Sequence, residues 1–89
     1  MIIEEMVYKQ DLNYRVRTIA KQHLLFGNGN AYQLNETGLL IWENIDGDHH
    51  LNSILNTIIN HYKCSEEIAA KDLKSFIEFL LEIKAIKEA

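Results

Sequence analysis

The spacing of apolar residues changes near residue 34, from a period of two to the period of a helix. Before that point, residues 14–20 alternate imperfectly between apolar and polar side chains, which is typical of a half-exposed strand. Two further strands are predicted at residues 23–26 and 31–34, after a tight turn at Lys21-Gln22 and a stronger turn signal at residues 27–30. These elements predict a small three-stranded antiparallel meander.

The N-terminal residues give a weaker pattern. Residues 1–12 are predicted to form either an additional strand, with Val7 and Tyr8 as its candidate positions, or a flexible arm. No internal repeat and no low-complexity linker divides the chain. Residues 1–89 are therefore predicted to form a single domain.

Three helices are predicted after the meander. The first begins at Asn35, whose side chain suits a helix N-cap, and is expected to end near Gly47. The second covers residues 51–62, where apolar side chains recur at helical spacing on one face. The third begins after Ser65 and extends to about residue 84. Three strands followed by three helices predict an α+β fold that is winged helix-turn-helix-like.

The third predicted helix has an unusually wide apolar arc. Its apolar side chains cover more than half of the helix surface at about 100° per residue. They are Ile68, Ala69, Leu73, Phe76, Ile77, Phe79, Leu80, Leu81 and Ile83. A helix packed on one small core needs only a narrower stripe, so part of this arc is expected to be covered by the sheet, by another chain or by a ligand.

The composition is that of an ordinary globular domain, with 47% hydrophobic residues, 25% charged residues and a net charge of −4. An acidic chain with scattered basic residues is a poor match for nucleic acid, because phosphate binding needs clustered Lys and Arg. The one close basic group is interrupted by Asp11 and consists of Lys9, Arg15, Arg17 and Lys21. The second predicted helix has no Lys or Arg for base reading, so a winged-helix DNA-binding regulator remains only as an alternative.

No motif indicates catalysis, a metal or a cofactor. The side chains of His49 and His50 are expected to point in different directions because the two residues are adjacent. Their spacing from other candidate ligands matches no zinc signature, so a solvated loop is expected there. A nucleophile elbow and a phosphate-binding glycine loop are both absent from the sequence. The lone Cys64 is expected to be a part-buried hydrophobe in a reducing compartment. With no signal peptide and no apolar run long enough to cross a bilayer, we expect a cytoplasmic protein that is not an enzyme.

A family pattern begins at the end of the third predicted strand. Residues 32–47 read YQLNETGLLIWENIDG, which combines a Leu-Asn-Glu-Thr run, an Ile-Trp-Glu run and an aspartate–glycine turn. The pattern continues at Tyr62, Asp72, Phe76, Leu80 and Ile86. The sequence resembles the PqqD family of pyrroloquinoline quinone biosynthesis from about residue 14 to residue 86. The wider relatives of that family are the precursor-peptide recognition elements of ribosomally made, post-translationally modified peptides.

The resemblance implies a domain that binds the N-terminal leader of a precursor peptide. The leader is expected to lie antiparallel to the third strand, in a cleft between that strand and the third helix. The domain would deliver the peptide to a modifying enzyme, such as a radical S-adenosylmethionine protein or a leader peptidase. The resemblance implies no catalytic residues and no cofactor in the domain itself, which is expected to act in trans.

The sequence also supports strand addition on physical grounds. The third strand is short and comes last in the meander, so its outer edge is expected to leave N–H and C=O groups free for an added strand. The wide apolar arc of the third helix gives the side chains of that strand a surface to pack on. The candidate peptide-binding residues are therefore Ala31, Tyr32 and Gln33 on the strand, and Ile68, Asp72, Ser75 and Phe79 on the helix.

Structural alternatives exist for these residues. For Tyr32, a position in the core explains the pattern as well as peptide binding does. For Ile68 and Phe79, the alternative is internal packing against residues 1–12. Asp72 lies on the apolar arc, where a carboxylate is costly unless paired. Its partner is either a leader cation or backbone N–H, or an internal cation such as Arg15 or Arg17. The free strand edge and the apolar helix face could each pair with a second copy of the chain. An interaction domain that forms a homodimer is therefore a further alternative.

Overall fold

The computed structural model describes residues 5–89. Within these residues the chain forms six strands, in two antiparallel sheets, and three helices. In chain order they are β1 (Val7–Gln10), β2 (Arg15–Ile19), β3 (Gln22–Gly27), β4 (Asn30–Leu34), α1 (Glu36–Glu43), β5 (Asp46–His50), α2 (Leu51–Tyr62), α3 (Glu66–Glu82) and β6 (Ile86–Glu88). The predicted α+β class is confirmed, whereas the prediction of one meander followed only by helices was wrong.

The predicted meander is one of the two sheets, with strand order β2-β3-β4. Its first turn lies at Ala20-Lys21, with φ of 53° and 67°, one residue before the predicted position. Its second turn lies at Asn28-Gly29, with φ of 51° and 80°. Positive φ at both central residues gives a turn whose twist matches that of the flanking strands. The register of the meander is therefore fixed by two two-residue turns.

The second sheet has the order β5-β1-β6. Strand β1 includes Val7 and Tyr8, the candidate positions for an additional N-terminal strand, while residues 1–4 of the predicted segment lie outside the described residues. Strand β5 replaces the loop predicted around His49 and His50. Its residues have no strand-like alternation, and they are extended because they pair with β1 across the fold, with Val7 opposite His50. Long-range pairing here overrides local propensity.

The helices begin where the sequence predicted. The Asn35 side chain accepts a hydrogen bond of 2.7 Å from the Gly38 backbone N–H, and the Ser65 hydroxyl accepts one of 3.3 Å from Ile68. Each bond satisfies an N–H group that a helix N-terminus otherwise leaves unpaired. Helix α1 ends at Glu43, before the predicted Asp-Gly turn, because the following residues enter β5.

The core lies between the three helices, the inner face of the meander and the second sheet, which contributes Tyr8 and Ile86. Its helical members recur at the predicted spacing, and the core includes Leu25, Leu34, Ile41, Trp42, Ile45, Leu51, Ile54, Leu55, Ile58, Ala69, Leu73, Ile77 and Leu80. The wide arc of α3 is only partly covered. Phe76, Phe79 and Ile83 are half-buried, whereas Ile68 and Leu81 are 57% and 39% exposed.

Tyr14 ties the meander to the end of α3. Its hydroxyl donates a 2.6 Å hydrogen bond to the Ile83 carbonyl and accepts one of 3.1 Å from the Asn28 side-chain amide. The Tyr14 ring packs against Gly27, where a Cβ atom would overlap the ring. These contacts hold the β3–β4 hairpin in a fixed position relative to α3.

Candidate functional site

Strand β4 is an edge strand. In the part of the chain that the structure describes, it pairs with β3 on one side and with no strand on the other. The two-residue turn at Asn28-Gly29 makes Gly27 and Asn30 a hydrogen-bonded pair, and bonded and non-bonded pairs alternate along an antiparallel ladder. Ala31 and Gln33 therefore direct their backbone N–H and C=O groups towards the open edge.

The side chains of β4 alternate between two faces of the sheet. Leu34 is buried and Tyr32 is half-buried on the inner face, in contact with the core. Ala31 and Gln33 are exposed on the outer face. The predicted site residues on β4 thus contribute in two ways: Tyr32 through its ring, and Ala31 and Gln33 mainly through their backbone groups.

An aromatic cluster connects β4 to α3. The rings of Tyr32 and Phe79 meet edge to face with centroids 5.3 Å apart, and Phe79 and Phe76 lie with centroids 6.1 Å apart. Edge-to-face contacts are favoured because the positive ring edge meets the negative ring face. Tyr32 is therefore both a core contact and part of the surface beside the open edge, and Phe79 packs on β4.

A groove of about 330 Å³ lies between the start of α1 and the middle of α3. It is lined by Asn35, Thr37, Gly38, Ile41, Asp72, Ser75, Phe76 and Phe79. Gly38 allows the close approach, since a Cβ atom there would lie 3.3 Å from the Phe76 ring. The groove is a continuation of the open edge, because α1 follows β4 directly and Phe79, whose ring meets Tyr32 of β4, also lines the groove.

Polar groups on the groove come from α3. Asp72 and Ser75 are exposed at its rim, and Ile68 projects from the same side of the helix because residues 68, 72, 75 and 79 recur at helical spacing. Within residues 5–89, Asp72 forms no ion pair with Arg15 or Arg17. The internal-cation alternative for Asp72 was wrong, because the arginines lie on the outer face of the sheet.

The structure brings four predicted residues together around the groove or its aromatic wall, namely Tyr32, Asp72, Ser75 and Phe79. Ile68 lies one turn before Asp72 on α3 and outside the groove lining. The residues from the start of α1, and Phe76, were not predicted as site residues. Gly38 was the available signal, since a glycine inside a helix is unfavourable unless something approaches its backbone closely.

The other polar clusters are small and exposed. The His49 ring hydrogen-bonds the Asp46 carboxylate at 2.8 Å, and this bond, helped by the Asp48 backbone N–H, lowers the pKa of Asp46. His23 bridges Thr18 and Glu36 at 2.9 Å and 3.1 Å. Among residues 5–89, no group of three His, Cys, Asp or Glu side chains is arranged to hold a metal ion. Nor is any helix in that range both long and apolar enough to span a membrane.

These features define a small α+β domain that presents an open strand edge beside an apolar groove. The chain belongs to the PqqD family: the family profile described as Coenzyme PQQ synthesis protein D (PqqD) matches residues 14–86. The resemblance seen in residues 32–47 is thereby confirmed. No curated protein matches the sequence. Among solved structures, the fold is similar to TbiB1 in complex with the TbiA(beta) leader peptide, with a TM-score of 0.77, 18% identity, and coverage of 89% of this chain and 94% of TbiB1.

Proposed function

We propose that the chain is a single non-catalytic domain that binds the leader segment of a ribosomally made precursor peptide. The observation that carries the proposal is the open edge of β4 beside the aromatic groove. Membership of the PqqD family supports it, and so does the similarity of the fold to TbiB1, a protein solved with a leader peptide. In this proposal the winged helix-turn-helix arrangement presents β4, the last strand of the meander, to a peptide.

The leader adds to β4 as an antiparallel strand. The N–H and C=O groups of Ala31 and Gln33 bond the leader backbone, which gives affinity without regard to sequence. Alternate side chains of the leader point inward, towards Phe79 and the groove, which gives specificity. Apolar burial contributes about 25 cal/mol per Å². The leader is disordered before binding and pays an ordering cost, so we expect moderate affinity.

Helix α3 supplies the polar part of recognition. The Asp72 carboxylate accepts a hydrogen bond from a leader cation or backbone N–H, and Ser75 lies one turn away on the same rim. Ile68, which is 57% exposed, extends the apolar face beyond the groove. Together with the strand residues, these side chains form the proposed leader-binding site.

The bound leader is delivered to a modifying enzyme, such as a radical S-adenosylmethionine protein or a leader peptidase. The groove itself is suited to binding and not to catalysis. Its lining offers one carboxylate and hydroxyl groups, but neither a histidine nor a lysine that would activate them. The domain requires no cofactor for strand addition.

The open edge also favours a second candidate, a homodimer in which β4 of one copy pairs with β4 of another. Sedimentation velocity distinguishes the two. A dimer at micromolar concentration that the leader does not dissociate would favour the homodimer. A DNA-binding role has less support, since the exposed face of α2 carries Asn52, Ser53, Asn56, Asn60 and His61 but no Arg or Lys.

Calorimetric titration with the leader of the precursor encoded beside this chain tests the proposal. Phe79→Ala should weaken binding about tenfold or more, equivalent to about 1.4 kcal/mol. Leu81→Ala is the matched control, because Leu81 projects about 200° away around α3 and is 39% exposed. Saturable binding that Phe79→Ala weakens and Leu81→Ala does not would support the proposal. Absence of saturable binding to any co-encoded leader would contradict it.

A further inference from the structure

The charge of the chain is distributed unevenly. Residues 12–35 contain Arg15, Arg17 and Lys21 but no Asp or Glu, so this segment carries +3. Because the whole chain has a net charge of −4, the remaining residues carry −7. Both arginines of the protein lie on β2. The meander is therefore a basic unit on an otherwise acidic domain.

The outer face of the meander combines these charges with apolar side chains. The strand register places Arg15, Phe26 and Ala31 in one cross-strand row, and Arg17, Leu24 and Gln33 in the next. These six residues define the outer face. Phe26 and Leu24 are half-buried, yet neither belongs to the core nor packs against it. Ile19, which is 52% exposed, continues the apolar strip.

Within the part of the chain that the structure describes, the arginines on this face have no acidic ion-pair partner. Among residues 5–89, the ion pairs involve histidines, and neither Arg15 nor Arg17 takes part. The same face of a second copy offers no carboxylate, so self-pairing of this face would leave Arg15 and Arg17 without acidic partners in the interface. Arginine is well suited to bidentate contact with carboxylates at protein interfaces. Charge complementarity thus favours an acidic protein surface as the occupant.

We propose that the outer face is the docking surface for the enzyme that modifies the bound peptide, through an enzyme surface with carboxylates around an apolar centre. This inference rests on the proposed leader binding. The inner face of the meander packs on the core, and the leader adds at the β4 edge, so the outer face stays accessible when the leader is bound. A leader strand beside β4 extends the outer face by one strand. The enzyme then contacts domain and leader on one continuous surface.

Charge complementarity accelerates association and makes it sensitive to salt, because exposed charges are screened within about 10 Å at 0.1 M ionic strength. The leader adds its outward-facing side chains next to Ala31 and Gln33, so the enzyme should bind the domain–leader complex more tightly than the free domain. Docking and leader recognition remain separable, since Arg15 and Arg17 are on the far edge strand from β4.

The test uses the full chain and the modifying enzyme encoded beside the precursor, with binding followed by biolayer interferometry. Arg15→Glu/Arg17→Glu should weaken enzyme binding at least about tenfold. Lys9→Glu/Lys87→Glu is the matched control, because it makes the same change of charge at two exposed positions that face each other on the other sheet. The control should bind the enzyme like the original chain. Arg15→Gln/Arg17→Gln should give an intermediate loss.

Leader affinity, measured on the same variants, separates this inference from the proposed function. An unchanged leader affinity with lost enzyme binding supports both. Unchanged enzyme binding by Arg15→Glu/Arg17→Glu, or no enzyme binding by the original chain, overturns the docking surface while leader binding stands. If the original chain binds no leader, the proposed function fails as well.

Two further probes address other anionic partners. The original chain is titrated with a double-stranded DNA oligonucleotide and with phosphatidylglycerol vesicles at physiological salt. The docking surface predicts no saturable binding to either. Binding to DNA or vesicles that Arg15→Glu/Arg17→Glu abolishes, with enzyme binding unaffected, would overturn the proposal and assign the outer face to that partner.

Discussion

Tyr32 of β4 and Phe79 of α3 meet edge to face, with ring centroids 5.3 Å apart and ring planes at 81°. The contact joins the open strand edge to the helix that lines the groove. It holds the two surfaces of the proposed leader-binding site at a fixed separation before any peptide arrives. Preorganisation of this kind reduces the ordering cost of binding.

The aromatic contact predicts energetic coupling between the two residues. In a double-mutant cycle with Tyr32→Leu and Phe79→Leu, we expect a coupling free energy of about 0.5–1.5 kcal/mol in urea unfolding. Tyr62→Leu on α2 replaces Phe79→Leu in the control cycle, and that pair should be additive within about 0.5 kcal/mol. Equal coupling in both cycles would show that the contact does not link β4 to α3.

Gly27 is predicted to be the glycine of the meander least able to accept a side chain. Gly27→Ala should lower the free energy of unfolding by about 1–3 kcal/mol, because its Cβ atom would overlap the ring of Tyr14 and force that ring off the Ile83 carbonyl. Gly29→Asn is the control. It faces open space, and asparagine tolerates the positive φ of 80° at that position. Chemical denaturation of both variants measures the difference, and equal stabilities would contradict the packing described here.

The Asp46–His49 hydrogen bond predicts a pH dependence in β5. The pKa of Asp46 is lowered in the folded chain, chiefly by the His49 side chain, so its carboxylate titrates below the ordinary value of about 3.9. Because the pKa of Asp46 is lower in the folded chain than in the unfolded chain, its carboxylate stabilises the fold at pH values above the unfolded-state pKa. This contribution is lost as the pH falls through the folded-state pKa. Carboxyl carbon NMR should show the midpoint rise in His49→Ala and stay unchanged in His50→Ala. Equal midpoints in the two variants would exclude the bond.

Asp72 is predicted to affect leader binding without affecting stability. The carboxylate is exposed and has no ion-pair partner within residues 5–89, so Asp72→Asn should change the free energy of unfolding by no more than about 0.5 kcal/mol. Leader affinity should fall by about threefold or more, since a charge-assisted hydrogen bond is lost. Glu78→Gln, an exposed position elsewhere on α3, should leave both quantities unchanged. A stability loss in Asp72→Asn without an affinity loss would assign Asp72 a structural role.

Local sequence patterns were sufficient for the meander and the helices. Asn28-Gly29 encodes a two-residue turn through its tolerance of positive φ, and Asn35 and Ser65 encode helix starts through their side-chain acceptors. These features depend on neighbours in the chain. The second sheet does not depend on neighbours in the chain. Strand β5 is extended because the tertiary fold places it beside β1, with Val7 opposite His50.

The candidate site was predictable to a similar extent. The helical spacing of Asp72, Ser75 and Phe79 placed them on one face of α3, and position at the end of the meander made β4 an edge. The opposite wall of the groove was not predictable from periodicity. Gly38 and Phe76 approach each other only after α1 and α3 pack, which is a tertiary contact between distant parts of the chain.

Hydrogen exchange by NMR, with and without the leader, tests strand addition to β4 most directly. The backbone N–H groups of Ala31 and Gln33 point to the open edge and should gain protection when the leader binds. Tyr32, whose N–H already faces β3, should change little. Val16 and Thr18 hold the corresponding outward positions on the free edge of β2 and serve as the internal control. Protection confined to Ala31 and Gln33 is the predicted result, and protection at Val16 and Thr18 instead, or at neither edge, would contradict the account.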